Sequence, residues 1–97
     1  MILVRDVFSL KFGKARDAKA LIAEMKKFAT EEELKNMRVL VDLTGPAYTM
    51  VFEATYNNLA TWEADMAKGM SASEWRDWYM KFMPLVEKSY KEIFTIV

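Results

Sequence analysis

The 97-residue chain contains no cysteine and no histidine. Those two absences together remove disulfides, thiol chemistry, thiolate metal sites, imidazole acid–base catalysis and histidine-ligated haem. Neither charge is in excess: 14 Lys and Arg balance 14 Asp and Glu, and no tail or stripe of one sign offers itself to phosphate backbones. No apolar run approaches the roughly 20 residues that span a bilayer, and Met1-Ile2-Leu3-Val4-Arg5-Asp6 is charged too soon for a signal peptide. Glycine-rich phosphate loops and serine nucleophile elbows are missing as well. A cytoplasmic protein without nucleic-acid or membrane partners, metal or cofactor is the expectation.

What the chain does contain is apolar side chain in quantity: 53% hydrophobic and 13% aromatic residues, with 8 Met. Its length suits one domain over residues 1–97. A domain so small buries only about 60 to 65% of the surface of its unfolded chain, so this much apolar material predicts burial against a second copy.

Ile2, Val4, Phe8, Leu10 and Phe12 alternate with Arg5, Ser9 and Lys11, which predicts a strand over 2–12 ended by Gly13. Ala18, Leu21, Ile22, Met25, Phe28 and Ala29 recur at three and four residues, the stripe of an amphipathic helix over 14–29. Thr30 followed by Glu33 fits a capping box and a short extra turn. Met37, Val39, Val41 and Leu43 predict a second strand, and Gly45-Pro46 turns it back into a third through Tyr48, Met50, Phe52, Ala54 and Tyr56, an antiparallel hairpin. Asn57 or Asn58 caps a helix carrying Leu59, Trp62 and Met66 that is expected to break at Gly69. Ser71 with Glu74 offers another capping box, before Trp75, Trp78, Tyr79, Phe82 and Val86 at helical intervals, with Pro84 as a kink. Residues 90–97 form the closing strand.

Right-handed crossovers in this β-α-β-β-α-β order put both helices on one face of an antiparallel sheet, an α+β architecture. The helix side collects Val4, Phe8, Leu10, Val39, Val41, Met50 and Phe52. The opposite side carries Arg5, Ser9, Arg38, Leu40, Asp42, Thr49, Val51 and Glu53. Half apolar and half charged, it suits packing against another sheet, with Arg38, Asp42 and Glu53 as interface ion pairs.

The element order, the turn Leu10-Lys11-Phe12-Gly13-Lys14 and the tryptophan-bearing second helical segment resemble the dimeric α/β-barrel superfamily of ferredoxin-like proteins. Phe8-Ser9-Leu10-Lys11-Phe12-Gly13-Lys14 is similar to the strand-end Tyr-Thr-Leu-Lys-Pro-Gly-Lys pattern of NIPSNAP-like domains, with Phe12 in the proline position and Asp6 where that pattern has arginine. A second resemblance is to antibiotic-biosynthesis monooxygenases, whose strand-one Asn and helix-two Trp fall on Asp6 and Trp62. The His that follows in that group has no counterpart, which argues against haem. The resemblance implies a homodimer.

Asp6 falls on the apolar, helix-facing side of strand one, where an unpaired buried carboxylate has a raised pKa and suits a general base. A strand-end position, or pairing with Arg76 or Lys68, is the alternative. Trp62, Trp75, Trp78, Tyr48 and Phe52 are candidate ligand-binding residues, although aromatic stripes on helices more often build a core. Two functions follow as expectations. One is a NIPSNAP-like homodimer binding a small apolar or aromatic molecule between helices and sheet. The other is a cofactor-independent monooxygenase acting on an activated aromatic such as a quinol, with Asp6 as base and Trp62 shaping the pocket. A structural dimerisation module is a third.

Overall fold

The amino-terminal alternation folds as β1, Ile2–Leu10, in a computed structural model that describes residues 1–97. The strand stops two residues short of Phe12. Gly13 takes a left-handed φ of 81°, and Lys14 N–H closes back on the Lys11 carbonyl at 3.0 Å. Phe12 is left almost fully exposed. The amphipathic stripe becomes α1, Ala15–Phe28. Thr30 then caps α2, Glu31–Asn36, with both halves of the expected capping box formed. Strands β2, Met37–Val41, and β3, Thr49–Tyr56, make the hairpin.

The second helical segment departs from expectation at its break. Asn58 caps α3, Leu59–Ser71, which runs through Gly69. A helical glycine costs only about 1 kcal/mol relative to alanine, and the break falls instead at Ala72, whose N–H reaches back to the Lys68 and Gly69 carbonyls. Ala72 is also the first residue of the cap of α4, Ser73–Phe82. The Ser71–Glu74 box therefore does not form: the Ser71 hydroxyl donates to the Lys68 carbonyl at 2.8 Å. Pro84 terminates rather than kinks, sitting in a 3-10 turn over Met83–Leu85. Freed from the helix, Val86 opens β4, Val86–Thr95, four residues earlier than residue 90.

All neighbouring strands are antiparallel, in the order β2-β3-β1-β4. This is the ferredoxin-like topology expected from the element order, with the helices on one face. The core lies between α1, α4 and the sheet, where Leu10, Ala18, Ile22, Met25, Met50, Trp78 and Phe82 are buried together. Phe82 stacks on Trp78 at 5.1 Å and meets Phe8 edge-on at 5.0 Å. By contrast, α3 buries no residue at all.

One helix layer on one sheet layer makes a slab of 36 × 32 × 21 Å. Its surface of 6947 Å² exceeds the roughly 5,700 Å² typical of a folded monomer of this mass. The sheet face opposite the helices is organised in cross-strand rows. Arg38, Glu53, Arg5 and Glu92 form one row running through all four strands. Leu40, Val51, Val7 and Tyr90 form the next. Leu3 and Phe94 pair on the other side of the charged row.

Candidate functional site

A cleft of about 590 Å³ lies between α1, α2 and the β2 side of the sheet, within the size range of small-molecule sites. Met25 and Met50 back its floor but are almost sealed from solvent. Its accessible wall is thus made by Ile22 of α1, Leu34 of α2 and Met37, Val39 and Val41 of β2. Local sequence explains the shape. The capping box starts α2 immediately after α1, and α2 runs directly into β2, so the short helix stands the chain off at the sheet edge. Lys19, Lys26 and Arg38 complete the lining. A smaller cleft of about 210 Å³ adjoins it, lined by Ala15, Tyr48 and Thr49 among others.

A separate polar cluster forms beneath α3. Asp6 lies on the helix side of β1, directly opposite Lys91 of β4, and the Lys91 ammonium donates to its carboxylate. The same ammonium sits 5.5 Å from the centre of the Trp62 ring, a cation–π arrangement. Asp6 therefore has a partner, but it is Lys91 and not Arg76 or Lys68, and its side chain keeps 30% of its exposure. Nearby, the Tyr56 hydroxyl donates to Asp65 at 2.9 Å. Burial, then that bond, pushes the Tyr56 phenol upward.

The other aromatic candidates are distributed. Trp78 is buried, and its Nε1–H donates to the Leu21 carbonyl at 2.6 Å. Phe52 packs against Phe8, Trp78 and Phe82. Trp75 is half-buried against Phe28 and donates to Glu33 at 2.9 Å. Tyr48 adopts a left-handed φ of 61° while its carbonyl accepts from Leu10 N–H. Among Trp62, Trp75, Trp78, Tyr48 and Phe52, only Tyr48 lines either cleft, the smaller one.

On the open face, Glu53 is buried between Arg5 and Arg38, each donating at 2.7 Å. Burial works to raise its pKa, but the bonds from the two arginines outweigh it and hold the carboxyl below its ordinary value. Asp42 is no ion pair. Its carboxylate accepts from Thr49 N–H at 2.9 Å and closes the hairpin. No group of three or more acidic residues gathers to hold a metal, and no helix is long and apolar enough to cross a membrane.

The cleft residues Ile22, Met37, Val39 and Val41 were legible only as core positions. The signal for something more was the pair Lys19 and Lys26 flanking Ile22 on the stripe of α1.

No family model matches the chain, and no curated protein matches it in sequence. Solved structures do match in fold. A NIPSNAP family protein from Agrobacterium tumefaciens superposes with a TM-score of 0.89 at 18% identity, covering 99% of this chain and 85% of that one. A NIPSNAP-like domain protein from Burkholderia xenovorans gives 0.87 at 16%, covering 99% and 84%. An antibiotic biosynthesis monooxygenase gives 0.73 at 13%, covering 100% and 99%. The chain has the ferredoxin-like fold shared by NIPSNAP proteins and antibiotic biosynthesis monooxygenases.

Proposed function

We propose that the protein is a cytoplasmic homodimer that pairs through its open sheet faces and binds a small apolar or aromatic molecule between its helices and sheet. The observation that carries the binding is the apolar cleft between α1, α2 and β2. The pairing is supported by the charged row. A copy turned about an axis parallel to the strands reads Arg38, Glu53, Arg5 and Glu92 in reverse, so Arg38 meets the partner's Glu92 and Glu53 meets the partner's Arg5. The flanking apolar rows supply the desolvated area.

Native mass spectrometry and titration with the neutral fluorophore N-phenyl-1-naphthylamine test the two halves. A dimer is expected, with Tyr90→Glu giving a folded monomer. Saturable fluorophore binding is expected, lost in Val41→Glu. A monomeric wild-type chain overturns the pairing, and unchanged affinity in Val41→Glu overturns the site.

The Asp6–Lys91–Trp62 cluster favours a second reading, a cofactor-independent monooxygenase. There Asp6 takes the proton of an activated quinol, Lys91 balances the resulting anion and Trp62 offers its ring beside the same ammonium. Oxygen consumption with such a quinol, abolished in Asp6→Asn, is its test. Wild-type protein that leaves the background oxidation rate unchanged removes it.

A further inference from the structure

The cleft is apolar inside and positive at its rim. Of its ten lining residues seven are hydrophobic, and the remaining three are all cations, Lys19, Lys26 and Arg38. That bias is unusual in a chain whose formal charges sum to zero. Arg38 is already engaged by Glu53. Lys19 and Lys26 are not: the ion pairs of the protein involve Arg5, Lys14, Arg38, Lys81 and Lys91, so both rim ammonium groups are available. They stand on either side of Ile22 at helical spacing, and therefore over the same stretch of apolar wall. Met37 contributes to that accessible wall, and its unbranched thioether adapts to a flexible occupant.

We propose that this cleft takes an unbranched fatty carboxylate, with the hydrocarbon chain against Ile22, Leu34, Met37 and Val39 and the carboxylate at Lys19 and Lys26. A neutral apolar ligand leaves the two ammonium groups without a counter-charge, whereas a lone anion leaves the apolar wall wet. Only a molecule with both parts uses the whole lining. The inference rests on the binding reading above and names its ligand class.

Displacement of N-phenyl-1-naphthylamine from the 97-residue protein by octanoate, decanoate and dodecanoate below their micelle concentrations, and by decanol below its solubility limit, is the test. Affinity is expected to rise about threefold to fourfold per methylene, and decanoate to bind about fivefold more tightly than decanol. The double variant Lys19→Gln/Lys26→Gln, two exposed changes that leave the fold intact, should bring decanoate down to the level of decanol and leave decanol unchanged. Raised salt should weaken decanoate alone. If decanol binds as well as decanoate, or the double variant leaves decanoate untouched, the head-group assignment is overturned while the apolar cleft stands. If neither displaces the fluorophore, the fatty-carboxylate assignment falls, while the response of fluorophore affinity to Val41→Glu decides separately whether the cleft is the binding site.

Discussion

The indole Nε1–H of Trp75 donates to one oxygen of the Glu33 carboxylate at 2.9 Å, while the other oxygen accepts from Thr30 N–H at 3.3 Å. One side chain thus completes the cap of α2 and ties that helix to α4. Glu33→Ala removes both bonds and is expected to cost about 1–2 kcal/mol of unfolding free energy in urea. Trp75→Phe removes only one and should cost less. A double-mutant cycle checks the tie: strictly additive losses would mean that the Trp75 bond adds nothing.

Glu53 sets a pH dependence. Its folded-state pKa lies below the ordinary value of 4.5, so the unfolded chain takes up the proton first. The stability it contributes is complete above that value and is lost as pH falls through the depressed folded value. Urea midpoints measured between about pH 6 and pH 3 should fall more steeply for wild type than for Glu53→Gln. Equal slopes would remove Glu53 as a source of acid sensitivity.

Local signals carried most of the fold, because alternation, helical stripes and the Thr30–Glu33 box act within a few residues and the chain obeys them. Boundaries set by competing local effects went the other way. Gly69 looked like a helix stop, yet a glycine's penalty is small beside the continuing bonds of α3, and Ala72 ended the helix. The site was harder to read for a different reason. Lys91 reaches Asp6 across 85 residues of sequence, and only the β1–β4 register brings them together. The cleft likewise depends on how far α2 holds α1 from β2, which no single residue encodes.

Tyr56 predicts the alkaline counterpart of the Glu53 effect. Burial first, and then the bond to Asp65, raise its folded-state pKa. Its contribution is therefore fully present below the ordinary tyrosine value of 10.0 and lost as pH rises through the folded one. Difference absorbance of wild type against Tyr56→Phe should show no ionisation step from this residue in the ordinary range. A step near pH 10 would contradict the buried hydrogen-bonded geometry.

Trp78 separates core from site. It is 4% exposed, stacks on Phe82 and donates to the Leu21 carbonyl, so it holds α4 onto α1 from inside the protein. Neither cleft touches it. Trp78→Leu leaves a partly filled space and removes the bond to α1, which predicts a loss of about 2–4 kcal/mol in unfolding free energy. Fluorophore affinity of the folded fraction should fall far less than in Val41→Glu, since Trp78 lines neither cleft and reaches the cleft wall only through its neighbours Ile22, Met25 and Met50 in the core. Urea denaturation and fluorophore titration on the same variant distinguish the two roles. Unchanged stability with lost affinity would move the binding site from the α1–α2–β2 cleft to the aromatic cluster under α4, and the lysine rim would then have no ligand to hold.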